Sequence, residues 1–233
     1  MDHEIKEFLQ VKESSRAKRP KLRYSKGRFT AVIPQGLDIN VDEVIEDNLE
    51  WFESYMSEAR RYREQVPDRS FERGEKFSVL GDVKEVVVEK RRSNRVGDDI
   101  FLAEHLVAQT GLKDQLQKAL RSFARDKFEE KASRYVEEID GDFDRIFVRD
   151  QETRWGSCSS KNNLNFNWRL VLGPEKVVDY VVVHELVHLE IDDHGEAFHE
   201  RVTEVLPEAS EAKKWLEENG ARLEFLNSPL KRP

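Results

Sequence analysis

The chain has 233 residues, with 39 lysines and arginines against 47 aspartates and glutamates, which gives a formal net charge of −8. Charged residues make up 37% of the sequence, so its surface must be densely ionic, while 13 phenylalanines and 4 tryptophans require a core and argue against disorder. There is no apolar run of 18 residues and the N-terminus is highly charged, so we expect neither a membrane-spanning helix nor a secretory signal. Cys158 is the one cysteine, which excludes an internal disulfide, and we expect a cytoplasmic protein.

Charge is unevenly distributed along the chain. Residues 1–35 carry nine basic against four acidic residues, whereas residues 179–233 carry six against thirteen. The basic stretch RAKRPKLRYSKGR could contact nucleic acid or an acidic partner, but it also fits a strand edge on which lysine and arginine oppose aggregation. The acidic C-terminal third argues against a general nucleic-acid binder. Composition therefore neither supports nor excludes a nucleic-acid partner, and it leaves the oligomeric state open.

The N-terminal region is predicted to be rich in hairpins. Residues 1–18 resemble a polar tail or a loose helix, and the following sequence LRYSKGRFTAVI predicts a hairpin with Gly27 in its turn. Asn40 and Glu43 resemble a helix capping box, after which apolar residues recur at helical spacing as far as Met56.

The middle of the chain contains three further predicted elements. A second hairpin is expected around Gly81 and Asp82, with Gly81 at the first turn position, and residues 100–103 resemble a short strand. From residue 112 to residue 139, apolar side chains keep a period near 3.6 and predict a long amphipathic helix. LNFNWRL, residues 164–170, alternates with period two and predicts a strand.

The most apolar segment of the chain is VVDYVVVHELVHLEI, residues 177–191. Its valines would suit a buried strand, but the run is too long for a typical strand, and Pro174 suits the first position of a helix. A helix that is apolar on all sides is a buried helix.

This segment contains His184, Glu185 and His188 in the spacing HExxH. Residues four apart on a helix point to the same side, so the two imidazoles can bind one zinc ion, and Glu185 lies beside them without being a ligand. The alternative is two buried histidines with hydrogen-bond partners and a salt-bridged glutamate. Three ionisable groups in a valine-rich helix would be costly without a purpose.

A catalytic zinc site needs a third protein ligand. Asp192, Asp193 and Gly195 are typical of a helix end, so the chain can reverse there and bring His194 to the metal. The other candidates for the third ligand follow later in the sequence, and they are His199, Glu204, Glu208 and Glu211.

Residues 153–199 resemble the core signature of the YgjP-like, SprT-like zinc metallopeptidases. The matching parts are RWGSCS, LNFNWRL, a proline at the start of the helix, HELVHL and HGEAF, and the similarity extends over roughly residues 20–226. One departure is His199, because many members have an aromatic residue after the phenylalanine that follows the third histidine.

The resemblance implies an α+β fold. A small mixed or antiparallel sheet would pack against the HExxH helix and the long amphipathic helix, after a hairpin-rich N-terminal region. We divide the chain into a polar tail (residues 1–18), a hairpin and helix region (19–110) and a zinc metallopeptidase core (111–233).

The resemblance also implies peptide-bond hydrolysis with Zn²⁺ as cofactor. Its ligands would be His184, His188 and His194, and Glu185 would be general base and then acid for a zinc-bound water attacking a peptide or protein substrate. Two alternatives remain: a zinc-binding accessory module with little turnover, and a nucleic-acid-associated protease.

Other polar residues of the motif have two interpretations each. Arg154 and Trp155 could line the substrate cleft or form a structural turn. Asn165, Asn167 and Arg169 could lie on a solvated strand face or belong to an edge strand that pairs with an extended substrate, and we take Asn167 as a candidate cleft residue. Cys158 could be a metal ligand or nucleophile, although a small buried or site-lining thiol is the simpler interpretation.

Overall fold

The structure, a computed structural model, describes residues 2–226. The chain divides into two compact units, residues 2–68 and residues 69–225. The predicted α+β class is confirmed, with eight α-helices and three small sheets within the described part of the chain. The functional boundaries expected after residues 18 and 110 stay predictions.

The first unit combines three helices with a three-stranded sheet. Its elements are α1 (Asp2–Phe8), β1 (Leu9–Ser14), β2 (Lys21–Ser25), β3 (Arg28–Pro34), α2 (Val41–Glu46) and α3 (Leu49–Gln65). Strand β3 is central, parallel to β1 and antiparallel to β2. A strand at β1 was not expected in the polar segment 1–18. Its central side chains are exposed and show no alternation, so the pairing with β3 defines it.

The hairpin predicted around Gly27 is confirmed. Lys26 and Gly27 connect β2 to β3 with φ angles of 51° and 65°, both in the left-handed region. A Cβ atom on Gly27 would lie 2.6 Å from Cδ1 of Tyr62 in α3, so glycine is required by the contact as well as by the turn. The predicted capping at Asn40 is also present, because its Oδ1 accepts from the backbone N–H of Asp42 at 3.0 Å.

The second unit contains five helices and two sheets in its described residues. The first part comprises β4 (Lys76–Val79), β5 (Asp82–Glu89), β6 (Arg95–Val96), β7 (Ile100–Ala103), α4 (Glu104–Thr110) and α5 (Leu112–Tyr135). The second part comprises β8 (Arg145–Arg149), β9 (Gly156–Cys158), β10 (Asn163–Asn167), α6 (Glu175–Val187), α7 (Glu196–Val205) and α8 (Ala209–Asn219). The sheet orders are β4-β5-β7-β6 and β8-β10-β9, and both sheets mix parallel and antiparallel pairs.

Helix α6 lies in the core of this unit, as its sequence predicts, with nine buried positions. It packs against α5 and is held there by Lys131, which is only 4% exposed. The Lys131 ammonium donates to Oδ1 of Asp179 at 2.7 Å and to Oε1 of Glu175 at 2.8 Å. Within residues 2–226, none of the helices has both the length and the apolar character needed to cross a membrane.

Two predicted boundaries are wrong because tertiary contacts override the local pattern. The second hairpin is present, but Leu80 and Gly81 form its turn, since the Leu80 N–H donates to the carbonyl of Val171 at 2.8 Å. The strand expected over residues 164–170 ends at Asn167. Its side chain accepts from the backbone N–H of Arg169 at 3.2 Å, and a 3₁₀ helix, Trp168–Leu172, follows.

Candidate active site

The HExxH residues lie at the C-terminal end of α6. His184 and Glu185 occupy its last turn, and His188 is the residue at which the helix ends. The chain then turns over residues 188–195 and enters α7 at Glu196. This reversal returns His194 to the histidines of α6. It begins at His188, four residues before Asp192, where the sequence analysis placed the start of the helix end.

Three histidine side chains converge at this point. Nε2 of His194 lies 3.1 Å from Nε2 of His184 and 3.2 Å from Nε2 of His188. Nδ1 of His188 lies 2.9 Å from the carbonyl oxygen of Ile191, so Nδ1 carries the proton and Nε2 presents a lone pair. These three histidines form a group whose ligand atoms all lie within 4.8 Å of one another.

This donor set fits a zinc ion. Zinc–nitrogen bonds of about 2.0–2.1 Å at tetrahedral angles require nitrogen atoms about 3.3–3.4 Å apart. The two separations from His194 are close to that value. A cation shared by the three nitrogens would stabilise this arrangement when all three present lone pairs, because lone pairs facing one another repel.

Phe198 packs against the rings of all three histidines, and the sequence analysis did not identify it as a site residue. Its ring is fully buried, and its centroid lies 4.8 Å from the His184 ring, 4.6 Å from the His188 ring and 4.8 Å from the His194 ring. The side chain lies on the first turn of α7, four residues after His194, and carries no polar atom. Phe198 therefore contributes to the position of the three rings only through packing.

The turn that carries His194 is held by side-chain hydrogen bonds. Oδ1 of Asp193 accepts from the backbone N–H of Gly195 at 2.8 Å, which stabilises the entry into α7. Arg201 of α7 donates to both carboxylate oxygens of Glu190, at 2.8 Å and 3.1 Å. This bidentate pair ties the segment after His188 to α7.

Glu185 is buried beneath strand β9. A Cβ atom on Gly156 would lie 2.6 Å from Oε1 of Glu185 and 2.7 Å from its Cγ, so only glycine fits at this position of the strand. Burial raises the pKa of Glu185 from 4.5 to about 7. A hydrogen bond from the Cys158 backbone and the positive charge of Arg154 oppose that rise. A carboxyl group with a pKa near neutrality can both accept and donate a proton.

Burial also favours neutral imidazoles. It lowers the pKa of His184 from 6.5 to about 3, and the neighbouring histidines lower it further. The pKa of His194 is lowered as well, first by burial and then by the charges of His188 and His199. Neutral imidazole is the form that binds a metal ion.

A cavity of about 290 Å³ opens beside these groups. His184 and Glu185 line it together with Trp155 and Tyr180. Trp155 therefore borders the cavity, while Arg154 is exposed and near enough to Glu185 for its charge to act on that carboxyl.

Asn167 does not line the cavity, contrary to the sequence-based prediction. It is fully buried, and its Nδ2 donates to the carbonyl of Gln151 at 2.8 Å. Strand β10 is paired with β8 and β9 on its two sides, so it is not an edge strand, and the alternative in which it pairs with an extended substrate is wrong.

The other candidate ligands lie outside the histidine group found within residues 2–226. Cys158 is half-buried, and its pKa is raised by burial and by the charges of Glu185 and Asp192, which keeps the thiol protonated. His199 is exposed on α7, one residue beyond Phe198. The three rival carboxylates are also exposed: Glu204, Glu208 and Glu211.

Three converging histidine nitrogens beside a buried carboxyl define a site of the kind that metal-dependent hydrolases use. The chain matches the family described as YgjP-like, metallopeptidase domain, over residues 18–219, and it therefore belongs to that metallopeptidase family. The resemblance found in the sequence is thus confirmed. No curated protein and no solved structure matches the chain.

Proposed function

We propose that this protein is a zinc-dependent peptidase in which His184, His188 and His194 bind the ion and Glu185 transfers the proton. The observation that carries the proposal is the approach of the His194 Nε2 to the other two Nε2 atoms, at 3.1 Å and 3.2 Å, next to a buried carboxyl. Membership of a metallopeptidase family supports the reaction class. The substrate is a peptide or protein.

A zinc ion held by these residues would supply a Lewis acid for the scissile carbonyl and lower the pKa of water. Glu185 accepts the proton of the attacking water and then delivers it to the leaving amine. In the metal-free protein, burial brings the pKa of Glu185 to about 7, so this carboxyl is closer to neutral pH than an exposed glutamate.

The oxyanion that develops needs a hydrogen-bond donor besides the ion. Tyr180 lies one helical turn before His184, and its ring borders the same cavity. Burial first, and then the charges of Glu217 and Glu185, raise the pKa of Tyr180, so its phenol stays protonated and can donate. Tyr180 is therefore our candidate for this donor, because it lines the same cavity as His184 and Glu185.

The decisive experiment compares Glu185→Gln with the wild type. The amide keeps the shape of the side chain and cannot accept the proton, so we expect one zinc per chain, an unchanged fold and loss of cleavage of an unstructured protein. Chelation should abolish the wild-type activity, and added zinc should restore it.

Two results would contradict the proposal. Cleavage that persists after verified removal of the metal would exclude a metallopeptidase mechanism. One tightly bound zinc per wild-type chain without turnover of any peptide library would favour the accessory module instead.

A further inference from the structure

The cavity beside Glu185 has walls of contrasting chemistry. His184 and Glu185 border it at the reactive end. Apolar side chains from three elements border much of the remainder, and they are Trp155 before β9, Val181 of α6 and Leu216 of α8; Tyr180 of α6 adds an aromatic ring that carries a hydroxyl group. Val181 is 4% exposed and Leu216 is 8% exposed, so these two form a dry wall that is continuous with the core of the unit.

Besides the groups at the reactive end, the cavity has two charged residues, and both lie on one side of α8. Lys213 and Glu217 are exposed and remain in contact with water. Lys213 and Glu217 could pair with a charged side chain only at this exposed side. A charged side chain that reached Val181 and Leu216 would leave water without a partner, which is costly. An aliphatic or aromatic side chain would instead lose apolar surface to water and gain packing.

We propose that this cavity is the specificity pocket of the site and that it takes a bulky apolar side chain, aliphatic or aromatic, from the substrate residue next to the scissile bond. The link to cleavage rests on the proposed function. The reactive groups form part of the cavity lining, so a side chain in the cavity belongs to a residue adjoining the bond. A volume of about 290 Å³ lies at the lower end for ligand pockets and suits a single side chain.

Binding without turnover tests the pocket separately from catalysis. The probe is a fluorescein-labelled decapeptide of alanine, glycine and serine with one central guest residue, measured by anisotropy against zinc-loaded Glu185→Gln protein. We expect leucine or phenylalanine guests to bind at least about 10-fold more tightly than alanine, because each methylene in an apolar pocket contributes about 10-fold or more. An aspartate guest should bind more weakly than alanine. Equal affinity for all four guests would overturn the pocket assignment.

A change in the size of the pocket provides the second test. Leu216→Ala enlarges the cavity, so the preference should move from leucine towards tryptophan guests, by about 10-fold in the ratio of affinities. Leu206→Ala is the matched control, because Leu206 is similarly buried, at 3% exposed, and does not border the cavity. If Leu216→Ala does not fold, Leu216→Val should move the ratio in the same direction by a smaller amount. An unchanged ratio in the folded variant, or an equal change in the control, would overturn the proposal.

The cleavage sites of the wild type separate this inference from the proposed function. Cleavage beside bulky apolar residues, with a preference that Leu216→Ala alters, supports both. Cleavage without regard to neighbouring side chains would leave the peptidase intact and overturn the pocket. An absence of cleavage, together with guest-selective binding that Leu216→Ala alters, would overturn the proposed function and support the pocket.

Discussion

Replacing Gly156 with alanine tests whether the close approach of β9 positions the Glu185 carboxyl. The new Cβ atom would lie 2.6 Å from Oε1, 2.7 Å from Cγ and 2.9 Å from Cδ of Glu185, where ordinary contact begins at 3.4 Å. The two groups must therefore separate by about 0.8 Å. Rotation of the carboxylate alone cannot achieve this, because Cγ is as close as the oxygen, so the side chain changes rotamer or β9 moves away from α6.

A displacement of this size should lower kcat strongly and leave the metal site intact. A misplacement of about 1 Å in a catalytic group costs on the order of 100-fold in rate, whereas the three Nε2 atoms do not depend on Gly156. We expect kcat for a fluorogenic peptide to fall about 100-fold, with zinc affinity unchanged within about 10-fold. The added methyl group should destabilise the fold by about 1–3 kcal/mol, which a urea titration measures.

Gly97→Ala is the matched control for this prediction. A Cβ atom on Gly97 meets the flexible end of Arg95 at 3.4 Å, an ordinary contact away from the site, and Gly97 does not have a positive φ. Its kcat should equal that of the wild type. If folded Gly156→Ala retains kcat within about threefold, the position of Glu185 under β9 has no catalytic importance and the argument fails.

Three further predictions concern the ligands, the buried carboxyl and the core. In competitive zinc titrations, His194→Ala should weaken binding by more than the ~10–100-fold typical of residues that hydrogen-bond a metal ligand. His199→Ala should weaken binding by less than that, and the reverse order would contradict the ligand assignment. In the metal-free protein between pH 4.5 and about 7, Glu185 is protonated when folded and loses its proton on unfolding. The free energy of unfolding of the wild type should therefore fall as pH rises through this range, whereas that of Glu185→Gln should not. The difference in favour of Glu185→Gln should reach about 3 kcal/mol near pH 7 and stay constant above it. A difference in unfolding free energy that does not change with pH would show that burial does not raise this pKa. Lys131→Met should lower the free energy of unfolding by about 3 kcal/mol, because Asp179 is left buried without its cationic partner, and a loss below about 1 kcal/mol in urea titrations would refute that role.

The helix and the histidine group could be predicted because their determinants are local. HExxH fixes two imidazoles on one side of α6, and the turn over residues 188–195 returns His194 to them. A segment of 12 residues therefore contains the information for the whole group. The hairpin at Gly27 was predictable for the same reason, since Lys26 and Gly27 form a turn of two residues.

The remaining features depend on contacts between distant residues. Gly156 is 29 positions before Glu185 in the sequence, and neither neighbourhood indicates that β9 passes so close that a Cβ atom on Gly156 would lie 2.6 Å from Oε1 of Glu185. The alternation in LNFNWRL predicts a strand but not its neighbours, so the central position of β10 and the burial of Asn167 were missed. The turn of the second hairpin is a further example. It lies one residue earlier than predicted, at Leu80, whose N–H donates to the distant Val171 carbonyl.

Helix α7 contributes none of the three histidines, yet it contacts all of them. The Phe198 ring touches each imidazole at nearly the same distance, and Arg201, one turn further along, holds Glu190 of the preceding segment. A substitution that displaces Phe198 therefore removes packing from all three imidazoles at once. Substitutions on α7 that leave every ligand in the sequence can therefore still weaken zinc binding, because they change the packing behind all three rings.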